Sequence, residues 1–464
     1  MTYEPANRDQ TFRAACLRIK KIYEARGKQP LAFIDTYGCQ QNESDSDRLR
    51  GVLGEMGFAP AAGKTDADLV VINTCAVREH AELRILSNVG ALCRVKEKNP
   101  RLIVAVCGCM VRRSQMTEKI KRSYRVVDLV FGIREMRKFP ELLERVLLGR
   151  ERVFACSPQD GEIEEGLPVV RDGTVKAWLP IMYGCDNFCS YCVVPYVRGR
   201  ERSRRARDIT DEAASLASEG YKDLTLLGQN VNSYGRDLGG ETDFSDLIGK
   251  INAIPGEFLI RFMTSHPKDA TEKLFRTMAE CEKCARHIHL PLQSGSDRVL
   301  RAMNRGYTRD EYAALTKKAR FLMPDMVLTT DIIVGFPGET EDEFEDTLDL
   351  VKEIGFDAMF TFIFSKREGT PAYCMDDPVT KPEKQVRFNR LLETQNAISE
   401  KKHAAYVGKT VKVLVDGETG AGEYNLSSRT NGGRLVHLRA DLRPGTFADA
   451  RITGSGAWAL FGEA

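Results

Sequence analysis

Three cysteines within eight residues constrain this chain more than any other feature. Cys185, Cys189 and Cys192 stand in Gly184-Cys-Asp-Asn-Phe-Cys-Ser-Tyr-Cys192, a Cys-x3-Cys-x2-Cys spacing. A short loop with those gaps wraps three thiolates around one face of a cubic iron–sulfur cluster. No fourth cysteine follows at close range, the next being Cys281. One iron is therefore left open to an outside ligand, as metal sites that do chemistry leave a position open. Two competing readings are a zinc site with a remote fourth ligand and three buried thiols.

Upstream, strand and helix signals alternate. Leu31–Tyr37, Asp68–Ile72, Arg101–Cys107 and Val126–Phe131 read as strands, and Glu43–Gly57 reads as a helix with Leu49, Val52, Leu53 and Met56 on one face. Such alternation predicts a doubly wound parallel α/β domain over 31–150, with ligands beyond the carboxyl ends of its strands. Cys39, Cys75 and Cys109 each follow one of the first three strands. Three thiols remote in sequence thus converge on one sheet edge, as a second cluster site would require. Ordinary small core residues are the alternative, since free cysteine is often buried. Cys107 competes with Cys109 as ligand and is read as the structural end of the strand. Gly38 and Gly108 precede two of the thiols and fit tight turns.

Residues 151–168 are polar, include Asp160-Gly-Glu-Ile-Glu-Glu-Gly166, lack periodicity, and read as a linker. From 169 to 402, strand-like segments recur near 175–182, 223–228, 257–263, 286–290, 326–334 and 357–364. Six βα units are too few for an eight-unit barrel and predict an open, partial one. Leu227-Gly-Gln-Asn230, Thr264-Ser-His-Pro267, Pro291-Leu-Gln-Ser-Gly-Ser296 and Gly335-Phe-Pro-Gly-Glu-Thr340 sit at strand ends, where such barrels bind ligands. Gly335–Thr340 serves equally as a turn and helix cap. His266 reads as a hydrogen-bonding loop residue, and Cys281 with Cys284 as structural. A helix over 381–406 leads out of the barrel. Short strands separated by Gly, Asn and Asp turns then predict a small β-barrel over 403–464.

Charge balance is nearly neutral, 68 Lys+Arg against 66 Asp+Glu, so polyanion contact depends on local clusters. One stands out: Val197-Arg-Gly-Arg-Glu-Arg-Ser-Arg-Arg-Ala-Arg207 holds six arginines directly after the thiol loop. It is read as meeting RNA phosphates, with Arg198 and Arg200 nearest the active site, against the alternative of a solvated face. The first ten residues have no apolar core of a leader peptide, and no apolar run approaches a membrane span. A cytoplasmic monomer with reduced thiols is expected, with no membrane contact.

Tyr191 completes Cys-x3-Cys-x-aromatic-Cys, which resembles the signature of radical S-adenosylmethionine (SAM) enzymes. Thr36-Tyr-Gly-Cys-Gln-Gln-Asn42, Asn73-Thr-Cys-Ala-Val-Arg-Glu79 and Val106-Cys-Gly-Cys-Met110 precede it. In that order these motifs resemble the methylthiotransferases, over nearly all of residues 31–464. The resemblance implies a multidomain α/β fold with a central partial (β/α)6 radical SAM barrel. It implies a 4Fe–4S cluster on Cys185, Cys189 and Cys192 whose open iron chelates SAM, with Tyr191 near the adenine and Gly228 and Gln229 near the methionine end. It further implies an auxiliary 4Fe–4S cluster on Cys39, Cys75 and Cys109 that delivers sulfur. Arg429-Thr-Asn-Gly-Gly-Arg-Leu-Val-His-Leu438 resembles the RNA-binding TRAM module, making Arg429 a further RNA contact.

The reaction implied is methylthiolation of C2 of N6-isopentenyladenosine at position 37, in the anticodon stem-loop of tRNA. An electron donor such as flavodoxin or ferredoxin and an unidentified sulfur donor are the other expected partners. The same chemistry on N6-threonylcarbamoyladenosine, or on an aspartate of a ribosomal protein, stays open. So does a non-catalytic RNA-binding protein stabilised by metal.

Overall fold

Runs of apolar residues with no polar alternation form strands buried on both faces, and the first unit is built on them. The computed structural model describes residues 5–76, 79–149, 151–156 and 163–464. Its first unit comprises residues up to Asp172 together with Val193–Arg200. Six strands, β1 (Leu31–Thr36), β2 (Ala59–Pro60), β3 (Leu69–Thr74), β4 (Ile103–Gly108), β5 (Leu129–Phe131) and β6 (Val153–Ala155), run parallel in the order β2-β1-β3-β4-β5-β6. Every residue of β3 and β4 is buried. Leu69 and Val71 face one core with Leu49, Val52 and Phe139. Val70 and Ile72 face the other with Val89 and Ile120.

Three elements of this unit depart from the sequence analysis. Helix Pro5–Glu24 lies upstream of the expected domain and buries Phe12, Cys16, Ile19 and Tyr23 in the first core. Its Arg18 makes a two-pronged bond to Glu144 of helix Phe139–Gly149. The segment read as the start of a linker is β6, paired with β5. Its three residues are too few for periodicity to register, and pairing to a formed sheet edge supplies what pattern does not. Of the rest of 151–168, residues 157–162 lie outside the described residues. The two-residue edge strand β2 is likewise too short for a pattern to reveal.

The second unit, Gly173–Cys192 with Glu201–Ala464, carries the partial barrel. β7 (Lys176–Pro180), β10 (Asp223–Leu227) and β11 (Leu259–Phe262) form one parallel half; β12 (His287–His289), β13 (Val327–Val334) and β14 (Ala358–Ile363) form the other. The halves meet where Ile260 bridges Cys284. Here Ala285 donates to the Ile260 carbonyl at 2.9 Å, which accounts for the fully buried Cys284 as a structural residue. Between β7 and β10, a short antiparallel pair, β8 (Met182–Tyr183) and β9 (Arg202–Ser203), flanks the thiol loop. Several of its helices start on side-chain caps, among them capping boxes at Thr308, Thr340 and Thr380. Thr340 thus makes Gly335–Thr340 a helix cap.

Helix Lys381–Ala404 leads into a closed barrel of β15 (Thr410–Glu418), β16 (Leu426–Thr430), β17 (Leu435–Arg439), β18 (Phe447–Ser455) and β19 (Leu460–Glu463), ordered β15-β16-β17-β19-β18. This barrel docks under the amino ends of the radical-barrel strands, away from the thiol loop. Arg261 of β11 donates to the carbonyls of Thr430 and Asn431 at 3.0 and 2.8 Å, and Leu414 and Phe447 pack on Val175 and Leu259. Among the described residues no helix is long and apolar enough to cross a membrane.

Candidate metal centres

Strand order decides where the first three thiols meet. The sequence of connections reverses between β1 and β3, and open α/β sheets bind ligands at that switch point, beyond the strand carboxyl ends. Cys39 follows β1 as N-cap of helix Gln40–Glu55, Cys75 follows β3, and Cys109 follows β4. Gly38 and Gly108 take φ of +121° and +101°. A Cβ on Gly38 would stand 2.8 Å from the Cys75 sulfur, and one on Gly108 would stand 2.2 Å from the Thr74 carbonyl oxygen. Glycine is required at both because the loops touch.

At the centre lies Asn42. Its Oδ1 is 3.7 Å from the Cys39 sulfur and 3.9 Å from the Cys109 sulfur. Its Nδ2 donates to the carbonyls of Tyr37 and Thr74, which fixes the orientation. Arg198 comes in beside it, donating from Nε to the Cys109 sulfur at 3.0 Å and from Nη2 to Asp45 at 2.9 Å. Burial pushes the Cys109 thiol up to about 12, with Arg198 pulling the other way. Cys107 points instead into the core with Phe131 and Phe139, a structural position.

In the second unit the loop carrying Cys185, Cys189 and Cys192 is clamped from one side. Asn304 Nδ2 donates to the carbonyls of Asn187 and Phe188 at 3.2 and 3.1 Å, and Ser190 is bonded through backbone and side chain to Met303 and Ala302. Arg305, itself buried, reaches the Cys189 sulfur at 3.3 Å and the Tyr191 hydroxyl at 3.5 Å from Nη1, and the Pro291 carbonyl at 2.8 Å from Nη2. Tyr191 packs beside Val299, Met303, Phe336 and Phe364. Burial raises the Cys185 thiol to about 11.

Gln229 Oε1 accepts from the Gly184 N–H at 2.5 Å, tying the end of β10 to the start of the thiol loop. A Cβ on Gly228 would fall 2.5 Å from Met182 Cγ. The strand-end loops also hold buried polar atoms with no hydrogen-bond partner among the described residues: Asn230 Oδ1, Ser265 Oγ, His266 Nε2 and Gln293 Oε1. Such atoms are costly unless a ligand or water meets them. They fit a polar cofactor lying across the strand ends. His266 Nδ1 accepts from the Lys268 N–H, the hydrogen-bonding role expected of it.

Among the described residues no three His, Cys, Asp or Glu side chains are gathered to hold a single ion. A cubane asks for something wider, since each thiolate takes its own iron. Both triads fit that donor set better than a zinc site: Cys75, Cys109, Cys185 and Cys189 are buried, Cys192 is half-buried, and Cys39 is exposed.

Two of the arginines expected at RNA have other work. Arg198 is buried on Cys109, Asn42 and Asp45, so it is corrected from a phosphate contact to a neighbour of the first thiol triad. Arg204 is buried, donating to the Pro180 carbonyl and Glu212. Arg198 ends the short helix Val194–Arg198 and Arg204 directly follows β9, placements that charge counting does not see. Arg200, Arg205 and Arg207 are exposed, and Arg429 is half-buried on Asp416 at 2.9 Å. Sequence reasoning missed Asn42, Asp45 and Arg305, none of which has a spacing that announces it.

Comparison with known proteins agrees with this architecture. Residues 32–132 match the uncharacterized protein family UPF0004, 179–351 the radical SAM superfamily, and 404–464 the TRAM domain. Among solved structures, the radical SAM methyltransferase TsrM from Kitasatospora setae superposes with a TM-score of 0.55 at 14% identity, covering 75% of each chain, a likeness of fold. Fold and thiol loop together define a radical SAM enzyme. A tRNA-2-methylthio-N(6)-dimethylallyladenosine synthase from Acetivibrio thermocellus is 48% identical over 94% of this chain and 91% of its own. Those from Clostridium tetani and Alkaliphilus oremlandii are 47% and 49% identical over 96% of this chain, and 98% and 94% of theirs. The chain belongs to the family of tRNA-2-methylthio-N(6)-dimethylallyladenosine synthases.

Proposed function

We propose that this protein converts N6-isopentenyladenosine at position 37 of tRNA to its 2-methylthio derivative, using two 4Fe–4S clusters. The observation that carries this reading is the pair of thiol triads in one chain, each on its own scaffold and each with a buried arginine at one sulfur. When bound, a reduced cluster with SAM would supply a 5′-deoxyadenosyl radical able to take hydrogen from C2, the auxiliary cluster would supply sulfur, and a second SAM would supply the methyl group.

Cys185, Cys189 and Cys192 hold the radical cluster in a loop that Asn304, Ser190 and Arg305 keep rigid. Gly228 admits Met182 so that Gln229 can hold Gly184, and Gly228 and Gln229 would face the methionine end of SAM. Tyr191 would lie near the adenine. Cys39, Cys75 and Cys109 hold the auxiliary cluster, and Asn42 fixes the two loops that carry Cys39 and Cys75. Arg200, Arg205, Arg207 and Arg429 meet phosphates of the anticodon stem-loop, whose unpaired bases can be splayed out and reached. The reading includes a cytoplasmic monomer, an electron donor such as flavodoxin or ferredoxin, and a separate sulfur donor.

The test is anaerobic reconstitution with iron and sulfide, reaction with SAM and a low-potential reductant, then mass spectrometry of nucleosides from tRNA carrying N6-isopentenyladenosine. A 2-methylthio product is expected. Its absence, with product instead on threonylcarbamoyl-modified tRNA or on a ribosomal protein, would overturn the substrate assignment.

A further inference from the structure

Arg198 sits in an unusual place for a charged residue. The segment Val193–Arg200 follows Cys192 directly in the chain, yet belongs to the first unit. There Val193 and Val197 pack on Ala76 and Cys109. This seats the guanidinium of Arg198 with Nε 3.0 Å from the Cys109 sulfur, and Nη2 2.8 Å from Asn42 Oδ1 and 2.9 Å from Asp45 Oδ2. The Arg198 carbonyl accepts from Arg134 Nη2 at 2.5 Å, anchoring the backbone as well. Asp45 is wholly buried, and its Oδ1 has no hydrogen-bond partner among the described residues.

Burying an ion pair is expensive and seldom needed for stability, since apolar replacements often do as well. Here the cation is aimed at a sulfur rather than closed on its carboxylate alone. Arginine suits the task because one planar fork reaches sulfur, amide and carboxylate together, which a lysine ammonium does not.

We propose that Arg198 is a positioning residue of the auxiliary site: it donates a hydrogen bond to the Cys109 thiolate and raises the reduction potential of the cluster held there, while Asp45 limits how much of its charge the cluster feels. This rests on the two-cluster reading above. Reduction adds negative charge, and hydrogen bonds to the sulfurs together with nearby positive charge favour the reduced form. Arg198 and Asp45 therefore act in opposite directions on one observable.

The experiment uses the full chain with Cys185, Cys189 and Cys192 changed to alanine, so that one cluster alone reports. Iron and acid-labile sulfide are counted, and the midpoint potential is read by electron paramagnetic resonance during a redox titration. Arg198→Met is expected to lower the midpoint, Arg198→Lys to fall between it and the parent, and Asp45→Asn to raise it. Should Arg198→Met lose its iron, Asp45→Asn keeps the donor and still decides by the sign of its shift. Midpoints that do not move, or that move the same way in Arg198→Met and Asp45→Asn, would overturn the inference alone. A parent chain that binds no iron and sulfide would instead overturn the two-cluster reading, and the inference with it.

Discussion

Arg305 reaches the sulfur of Cys189 across 3.3 Å, from a loop that begins more than a hundred residues further along the chain. The same guanidinium touches the Tyr191 hydroxyl and the Pro291 carbonyl, so it joins the thiol loop to the end of β12. A hydrogen bond to a charged group is worth about 1.5–3 kcal/mol. Arg305→Met should therefore slow formation of 5′-deoxyadenosine roughly tenfold or more, at about 1.4 kcal/mol per factor of ten, with iron content kept. Single-turnover assays with counted iron check this; an unchanged rate would reduce Arg305 to packing.

The terminal barrel is not an appendage. Arg434 pairs with Asp357 at 2.5 Å with both side chains buried, Arg286 N–H donates to Asn431 Oδ1 at 3.0 Å, and Arg261 binds two carbonyls of the same loop. All six proposed ligands lie upstream, which suggests a removable barrel, but truncation after Tyr406 would strand Arg261 and uncover the amino ends of β10–β14. Breaking one partner of a buried pair costs about 3–5 kcal/mol. Arg434→Ala should lower the thermal midpoint clearly, and the truncated chain should lose more. A truncated chain as stable as the full one would contradict this docking.

RNA affinity should depend on the outer arginines of the 197–207 run. Neutralising Arg205 and Arg207, both exposed, should flatten the log–log salt dependence of tRNA binding by roughly 0.7–0.9 for each phosphate left without its arginine. Changing Arg204 should leave that slope alone and lower stability instead, because its partners are the Pro180 carbonyl and Glu212. Equal slopes for the Arg205/Arg207 variant and the parent would return those residues to a plain solvated face.

Acid should weaken the second unit through two histidines. Burial, with Arg305 nearby, pushes His266 down from 6.5 to about 2, and burial beside His289 and Arg261 pushes His287 down to about 3. Below about 6.5 the unfolded chain takes up protons that these folded sites refuse. Their contribution is whole above that pH and is lost as pH falls toward 3. Glu164, raised by burial to about 7, acts oppositely, stabilising most at low pH and losing that contribution as pH rises toward 7. The comparison is therefore between variants: His287→Gln should lose less of its thermal midpoint than the parent between pH 7 and pH 5. Equal losses would show that His287 does not titrate on unfolding.

Much of this was legible in the sequence, for physical reasons. The six radical-barrel strands are apolar runs bounded by polar ends, and the thiol loops follow strands, so pattern locates them. Cys39, Cys75 and Cys109 meet because a parallel sheet gathers its carboxyl ends on one edge. What pattern did not locate depends on tertiary placement. Helix Pro5–Glu24 is amphipathic against a core that exists only once the sheet forms. β6 is three residues held by one neighbour. Arg198 sits in a run that reads as a charged surface, but two valines at positions 193 and 197 turn its helix into the first unit.

The central claim is that two clusters divide the work, and one variant tests it most directly. Cys39, Cys75 and Cys109 are changed together to alanine, the chain is reconstituted anaerobically, and iron, 5′-deoxyadenosine and methylthiolated tRNA are measured side by side. Iron is expected to fall by about half, as loss of one of two four-iron clusters requires. 5′-Deoxyadenosine should still form, and no 2-methylthio nucleoside should appear. Methylthiolated tRNA from this variant would contradict the division of work, because sulfur would then reach C2 without the first triad.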